Sequence, residues 1–211
     1  MSQQSDDSII HPSPCGPHPF LRVFCAVELP DSIRASAGEQ IEALRRLAPD
    51  VRAGWERPEK LHITLKFLGE IEQARVGALA AAAERAARSL EPFDLSVEGA
   101  GAFPPRGAAR VLWLGLKDST SALALLQRRL EDECAAEGFD REARPFNPHV
   151  TIARLRLPAG ARRLATLHEE KGFARAEFSV RDLVLIRSEL GRGGSRYSLL
   201  SRHPLGGHLL T

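Results

Sequence analysis

A chain of 211 residues is long enough for one or two domains with a substantial core. Its 43% hydrophobic and 27% charged residues are ordinary for a soluble globular protein, and no apolar run approaches the roughly 20 residues that a membrane-spanning helix needs. The 29 basic and 27 acidic side chains give a net charge of +2, which permits an anionic ligand but does not indicate bulk nucleic-acid binding.

The amino-terminal residues and the cysteines bear on the compartment. Residues 1–19 lack the basic start and apolar segment of a secretory signal, and their proline and serine content predicts a disordered tail. The three cysteines, Cys15, Cys25 and Cys134, are odd in number and have no CxxC spacing. This pattern disfavours a disulfide framework or a zinc ribbon, and we expect a cytoplasmic protein.

The remaining chain alternates strand-like and helix-like segments. In chain order the pattern predicts a strand at 20–29, a helix at 31–47 capped by Asp31, a strand at 61–69, a helix at 71–90, strands at 93–103 and 110–116, a helix at 121–139, a strand at 148–157, a short helix near 160–171, and strands at 178–190 and 195–203 joined by a hairpin turn at 191–195.

Strands that follow one another without a helix between them favour an α+β fold with mainly antiparallel sheets. The chain contains neither GxGxxG nor GxxxxGK[ST], so the usual phosphate-loop folds are unsupported.

Two predicted strands carry the same His-x-Thr pattern. In LHITLKFLGE, His62 and Thr64 share one strand face, and in PHVTIARL, His149 and Thr151 do the same 87 residues later. Histidine titrates near pH 6.5, so a facing pair can divide the roles of general acid and general base. Threonine hydroxyls on the same faces can hydrogen-bond the oxygens of a phosphate. We therefore predict two halves with a cleft between them, and chemistry that needs no metal or cofactor.

One such motif alone would be weak. A half-exposed strand face with a hydrogen-bonded histidine explains a single copy equally well, and the repeat in equivalent settings is what favours a catalytic interpretation. Strict alternation also places Lys66 on the face of His62, where we expect a surface lysine, and Phe67 on the core face with Ile63 and Leu65.

The chain resembles the RNA 2′,3′-cyclic phosphodiesterases of the two-histidine phosphoesterase superfamily, also called the 2′-5′ RNA ligase family. The matching pieces run in order from about residue 20 to 203: RVFCAVELP, Trp55 followed by LHITLKFLGE, GAFPPRGAARVLWLG, RPFNPHVTIARL and a closing L-x-x-S-E-L. The resemblance implies a bilobal α+β fold, with two pseudo-symmetric lobes of mainly antiparallel sheet around a central cleft and helices outside. Residues 20–211 would then form one domain with one motif per lobe.

The resemblance also implies an activity and roles. It implies hydrolysis of an RNA 2′,3′-cyclic phosphodiester end to a 2′-phosphomonoester, with His62 as general acid and His149 as general base. Thr64 and Thr151 would hold the phosphate. The pattern itself is symmetric, so the division of roles between the histidines comes from the family.

Three further residues are candidates for substrate binding. Arg154 matches an arginine common in the family's second motif, although a regular strand would turn it away from Thr151, and a solvated surface arginine is an equal alternative. Phe24 and Tyr197 could stack on a base, with Phe24 more typical of a core residue.

The other histidines and the basic clusters indicate no site. No spacing of His11, His18, His168, His203 and His208 suggests a metal centre, and the sequence HEE at 168–170 lacks the second histidine of a zinc hydrolase. The arginines at 128–129 and 141–144 fit a solvated face that could assist RNA binding through salt-sensitive phosphate contacts.

The expected partners are RNA ends or nucleotides with a 2′,3′-cyclic phosphate, bound by a monomer away from membranes. Two alternatives remain open on the sequence. One is 2′-5′ RNA ligation or 2′-5′ phosphodiester cleavage at the same site, and the other is a non-catalytic module that only grips an RNA end.

Overall fold

The computed structural model describes residues 20–191 and 194–207, and the predicted tail at 1–19 lies outside the described residues. The strands are β1 (Phe20–Glu28), β2 (Ala53–Trp55), β3 (His62–Glu72), β4 (Phe93–Phe103), β5 (Val111–Lys117), β6 (Val150–Leu155), β7 (Ala176–Val180), β8 (Asp182–Gly191) and β9 (Gly194–Pro204). The α-helices are α1 (Asp31–Leu47), α2 (Val76–Arg88), α3 (Ala122–Ala136) and α4 (Ala161–Lys171), and short 3₁₀ turns occupy Pro58–Lys60, Gln73–Arg75 and Leu205–Gly207.

The strands form one sheet in which the pairs are antiparallel. Its order is β7-β4-β5-β6-β3-β1-β8-β9, and β2 adds to β6. Within the described residues, a single residue pair, Ile63 with Val150, joins β3 to β6 and so connects the two halves of the sheet. The α+β class and the two-lobed arrangement are therefore confirmed, with the lobes meeting along β3 and β6.

Helix amphipathicity decides which face of the sheet becomes the core. In α1 the buried positions Ile33, Ala37, Ile41 and Leu44 recur at helical spacing, and in α2 the buried face is one leucine and four alanines. These faces pack with α3 and α4 on one side of the sheet, which leaves the opposite side open. In the described part of the chain, no helix is long and apolar enough to cross a membrane.

Strand β1 is buried on both faces, as its composition predicts. Val23, Cys25 and Val27 enter the main core, while Phe24 and Ala26 face the other side and form a small cluster with Val184 and Ile186 of β8. This second cluster stiffens the open face of the sheet beside the cleft described below.

Most predicted elements are confirmed, and the differences have local causes. The predicted strand at 178–190 is wrong as one element, because it divides at Arg181 into β7, which pairs with β4, and β8, which pairs with β1 in the other lobe. The helix predicted from residue 71 begins at Val76, and Asp31 is the first helical residue rather than the cap, a position that Pro30 occupies. The strand β2 was not predicted.

The predicted hairpin is confirmed by antiparallel pairing from Asp182 with Pro204 to Gly191 with Gly194. Residues 192 and 193 of its turn lie outside the described residues.

Candidate active site

The open face of the sheet contains a cleft of about 430 Å³ where β3 and β6 lie side by side. All four motif residues line it: His62 and Thr64 from β3, Thr151 from β6, and His149 from the position directly before β6. The sequence prediction that the two motifs meet is therefore confirmed in geometry. Strand alternation sends their neighbours Ile63 and Val150 into the core, and neither has accessible surface.

Each motif strand has a β-bulge directly after its threonine. In β3 the pairing with β1 passes from Thr64 to Lys66, so Leu65 and Lys66 both turn toward the core. In β6 the pairing with β5 passes from Thr151 to Ala153, with Ile152 and Ala153 both buried. A bulge places two residues opposite one and reverses the alternation beyond it.

The two bulges return the fifth residue after each histidine to the cleft. That residue is Phe67 in β3 and Arg154 in β6, and both line the cleft. Phe67 is 44% exposed, so the prediction that it packs in the core is wrong. Arg154 reaches the cleft side although a regular strand would have turned it away, and its Nε lies 3.8 Å from Oε1 of Glu56.

Lys66 is also placed differently from the prediction of a surface lysine. It is 3% exposed, and its Nζ donates to Oε2 of Glu131 at 2.6 Å and to the carbonyl oxygen of Asp140 at 2.7 Å. The bulge explains the error, because the alternation rule assumes an unbroken ladder.

Both histidines are held by the backbone two residues before them. Nδ1 of His62 donates to the carbonyl oxygen of Lys60 at 2.7 Å, and Nδ1 of His149 donates to the carbonyl oxygen of Asn147 at 2.8 Å. Since a carbonyl can only accept, each neutral ring carries its proton on Nδ1 and keeps the lone pair on Nε2. The Nε2 of His62 accepts from the hydroxyl of Thr64 at 3.0 Å. Both Nε2 atoms are thus available to exchange protons with a bound group.

Aromatic rings fix the orientation of both imidazoles. Phe24 lies 4.7 Å from the His62 ring, centroid to centroid, and Tyr197 meets the same ring edge-on at 5.5 Å. Phe103 makes the corresponding edge contact with His149 at 5.3 Å. These contacts restrict ring rotation and keep each Nε2 in place.

The two residues that were predicted to stack on a base, Phe24 and Tyr197, differ in burial and in their aromatic contacts. Phe24 is 3% exposed and packs against both His62 and Tyr197, so its ring supports the histidine instead of offering a free face. This burial disfavours base stacking by Phe24, which stays a prediction, although the residue is among those that line the cleft. Tyr197 is half-buried at the cleft wall, and burial raises the pKa of its phenol.

Burial also lowers the pKa of His62 below its usual value of 6.5, against the raising effect of its hydrogen bond to Lys60. Arg154, Arg34 and His149 lower it further through charge repulsion. The neutral imidazole is therefore favoured, and an anion bound between the histidines would oppose this shift in the pKa of His62.

The cleft is electropositive. Four cations line it, Arg22, Lys60, Arg144 and Arg154, against one carboxylate, Glu56. Arg22 and Lys60 were not singled out by the sequence, because single basic residues outside a motif look like any solvated cation. Arg144 belongs to the basic cluster for which the sequence predicted a solvated face that could assist RNA binding. The convergence of these cations at a concave surface favours an anionic ligand.

The remaining described histidines have structural partners. His168 is fully buried, with Nε2 donating to the carbonyl oxygen of Trp113 at 3.0 Å, and His203 is bonded to the hydroxyl of Ser201 at 2.8 Å. Across residues 20–191 and 194–207 no group of three or more His, Cys, Asp or Glu side chains is arranged to hold a metal ion. His11, His18 and His208 lie outside the described residues.

Comparisons with known proteins agree over most of the chain. The RNA 2′,3′-cyclic phosphodiesterase of Methanothermobacter thermautotrophicus is 32% identical over 179 residues, which cover 84% of this chain and 95% of the relative. The crystal structure of TT0787 of Thermus thermophilus superposes with a TM-score of 0.71 at 29% identity, covering 90% of this chain and all of that one. That of E. coli LigT complexed with 3′-AMP gives 0.68 at 30% identity, covering 88% and 98%.

A curled antiparallel sheet that presents paired His-x-Thr strands to a cationic cleft defines a two-histidine phosphoesterase. The model of the 2′-5′ RNA ligase superfamily matches residues 29–192, which include both motifs. The chain belongs to this superfamily.

Proposed function

We propose that the protein is an RNA 2′,3′-cyclic phosphodiesterase that opens a cyclic phosphate at an RNA end to a 2′-phosphomonoester. The observation that carries the proposal is the pair of histidines in one cationic cleft, each fixed through Nδ1 and presenting Nε2 on the cleft side, where Nε2 of His62 is bonded to the Thr64 hydroxyl. The relative from Methanothermobacter bears the name of this activity. The matching E. coli structure contains 3′-AMP, a nucleotide whose phosphate is attached to the 3′ oxygen of the ribose.

The reaction needs one proton removed and one supplied. Nε2 of His149 takes a proton from water, whose oxygen bonds to phosphorus, and the bond from phosphorus to the 3′ oxygen breaks. His62, protonated on Nε2, gives its proton to that oxygen, and the 2′ ester bond remains. The hydroxyls of Thr64 and Thr151 donate hydrogen bonds to the non-bridging oxygens, where negative charge accumulates.

The assignment of the acid to His62 has to agree with its lowered pKa. In the free enzyme burial favours the neutral ring, so the proton-donating form is the minor one at neutral pH. A phosphate anion bound beside the ring favours the charged form and restores the proton where it is used. When the ring is protonated, the Thr64 hydroxyl can turn and become an acceptor from Nε2 or a donor to phosphate.

Arg154 and Tyr197 complete the proposed substrate contacts. Arg154 brings a guanidinium to the cleft five residues after His149, where it can bind the phosphate, and Tyr197 presents a half-buried ring to the sugar or base. Both roles can be separated from the acid–base chemistry by mutation, because substitution of Arg154 or Tyr197 should raise KM rather than lower kcat.

The proposal is tested with a 2′,3′-cyclic nucleotide and a short RNA with a cyclic end, assayed in EDTA with product analysis. We expect a 2′-phosphate product, and a fall in kcat of roughly 10²- to 10⁴-fold for His62→Ala and for His149→Ala. Thr64→Val and Thr151→Val should each cost roughly 10²-fold.

Thr166→Val is the matched control, since this threonine is exposed on α4 and away from the cleft. It should leave kcat unchanged. Full activity in either histidine variant would contradict the assigned chemistry, and RNA binding without any turnover would identify a non-catalytic module that grips RNA ends.

A second reaction is favoured by the superfamily to which the chain belongs, 2′-5′ RNA ligation or cleavage of a 2′-5′ linkage. The same histidines would serve it, because attack by a ribose hydroxyl in place of water uses the same acid and base. Incubating RNA with a cyclic end together with RNA ending in a 5′-hydroxyl separates the two reactions, since ligation lengthens the product.

We infer a reducing, cytoplasmic location from the two thiols in the described residues. Cys25 and Cys134 are both buried and free, and burial raises the pKa of both, that of Cys134 to about 11. Such thiols are poorly reactive and fit a compartment without disulfides. A monomeric state remains a prediction, which sedimentation of the purified protein would test.

A further inference from the structure

A buried ion pair lies directly beneath the first motif strand. Lys66 and Glu131 of α3 are 3% and 7% exposed, with 2.6 Å between Nζ and Oε2. Desolvating two charges is costly, and apolar residues of similar volume often stabilise a core equally well. The pair therefore calls for an explanation other than stability.

The ion pair holds the segment between α3 and β6, residues 137–149. Each member of the pair also bonds the backbone of this segment. Lys66 donates to the carbonyl oxygen of Asp140 at 2.7 Å, and Glu131 accepts a hydrogen bond from the backbone N–H of Glu142 at 3.2 Å. Gln127 donates to the other oxygen of Glu131 at 3.4 Å. Both members of the pair are thus tied to the backbone of this segment.

The same segment brings Arg144 to the cleft. Glu142 accepts Nε and Nη2 of Arg144 at 2.9 and 2.7 Å, as well as its backbone N–H at 3.1 Å. These bonds lower the pKa of Glu142 to about 2, so its carboxylate is charged at neutral pH. Nη1 of Arg144 bonds no protein group in the described part of the chain, and 82% of the side-chain surface is accessible.

We propose that Arg144 binds a backbone phosphate of the RNA, upstream of the reacting cyclic end, and that Lys66 and Glu131 position it through Glu142. A guanidinium with one free edge is suited to a phosphate oxygen. The proposed mechanism assigns the reacting phosphate to the motif residues, whereas Arg144 lines the same cleft with most of its side chain exposed, which suits a contact to a phosphate further along the strand. The inference rests on the proposed function and extends it to oligonucleotides.

The chain offers a matched control three residues away. Arg141 belongs to the same segment, carries the same charge and is paired with Asp132 at 2.9 Å, but it does not line the cleft. A general electrostatic effect of the segment would therefore appear equally in Arg141→Ala and Arg144→Ala.

The experiment compares a 2′,3′-cyclic mononucleotide with a tetranucleotide that ends in the same cyclic phosphate. For Arg144→Ala we expect KM for the tetranucleotide to rise about tenfold and by much less for the mononucleotide. The slope of log KM against log salt for the tetranucleotide should fall by about 0.7 because one phosphate contact is lost. Arg141→Ala should match the wild type in both measures.

The positioning role is tested in two further variants. Glu142→Gln removes the charge that orients Arg144, and the double variant Lys66→Met with Glu131→Met replaces the ion pair by apolar side chains so that no charge is left buried alone. Both should raise the ratio of tetranucleotide KM to mononucleotide KM, with kcat preserved. A loss of kcat on both substrates would show a merely structural role and overturn the positioning claim.

Binding separates this inference from the proposed function. Fluorescence anisotropy with a labelled tetranucleotide ending in a 3′-phosphate measures binding without turnover. Arg144→Ala should lower the affinity for this tetranucleotide about tenfold. Equal affinity in Arg144→Ala and Arg141→Ala would overturn the inference even if hydrolysis proceeds. Absence of hydrolysis in the wild type, with Arg144 still required for binding, would reject the proposed function alone. Equal KM increases on both substrates would place Arg144 at the reacting end and overturn its upstream assignment.

Discussion

His168 predicts a specific pH dependence of stability. The side chain has no accessible surface, and it links α4 to β5 through the carbonyl oxygen of Trp113 and to α1 through Gln40, whose Nε2 lies 3.4 Å from Nδ1. Nε2 donates to a carbonyl and Nδ1 faces the amide nitrogen of Gln40, which can only donate, so the lone pair lies on Nδ1 and the ring is neutral. Burial lowers its pKa below 6.5. The folded protein therefore binds a proton at His168 less readily than the unfolded chain does.

The sign and size of this pH dependence of the free energy of unfolding follow from proton linkage. Below pH 6.5 the unfolded state binds more protons at His168 than the folded state does, so stability falls as the pH falls. One proton changes the free energy of unfolding by about 1.36 kcal/mol per pH unit, so this residue alone can cost up to about 2 kcal/mol between pH 6.5 and 5.0. His62 and His203, whose pKa values burial also lowers, add slopes of the same sign.

The substitution His168→Gln keeps a donor and an acceptor at this position but removes the titration. We expect the variant to lose roughly 1–2 kcal/mol at pH 7.5 from altered hydrogen bonding, and to be less sensitive to acid than the wild type by up to about 2 kcal/mol. Urea unfolding followed by tryptophan fluorescence at pH 7.5, 6.5 and 5.0 measures both quantities. Because the other histidines are present in both proteins, the difference isolates His168, and parallel curves would refute a neutral buried ring.

Two further predictions concern the reaction and the fold. The ionisation of His62 should appear below pH 6.5 in the kcat/KM profile because burial lowers its pKa, whereas in the kcat profile it should appear at higher pH because bound phosphate favours the protonated ring; profiles measured over pH 5–9 in which this ionisation coincides would contradict His62 as the acid. Gly115→Ala should lower the unfolding midpoint, since its Cβ would stand 2.6 Å from the carbonyl oxygen of Glu98. In Gly77→Ala the added Cβ meets nothing within 4 Å, and the higher helix propensity of alanine in α2 should raise the free energy of unfolding by about 1 kcal/mol. Thermal denaturation of both variants checks the contrast, and a stabilised Gly115→Ala would refute it.

The sequence contained enough to predict both motif strands and their meeting. His62 with Thr64 and His149 with Thr151 are local patterns, and local alternation on a strand is readable without knowing its partners. The helices were equally readable, because alanine-rich and amphipathic segments such as α2 carry their signal within one window.

What escaped prediction depends on contacts between distant segments. The bulges after Thr64 and Thr151 arise from pairing with β1 and β5. The first explains why Lys66 enters the core and Phe67 leaves it, and the second explains why Arg154 reaches the cleft. The division at Arg181 likewise reflects which neighbour each half of the segment finds. Arg144 was grouped with arginines of a solvated face that could assist RNA binding, and its place in the cleft could not be predicted because its support by Glu142 and Glu131 depends on contacts between distant segments.

The junction between Ile63 and Val150 has a mechanical consequence. Each of these residues directly follows one of the two histidines, so the one backbone pairing between β3 and β6 in the described residues lies immediately beside both proton-transfer groups. Rotation about a pivot displaces atoms in proportion to their distance from it. If the lobes swing to admit an RNA strand, the rims of the cleft travel farthest, while the spacing between the two imidazoles changes least. A hinge at this pairing would let the entrance of the cleft adjust while the distance between acid and base stays nearly constant.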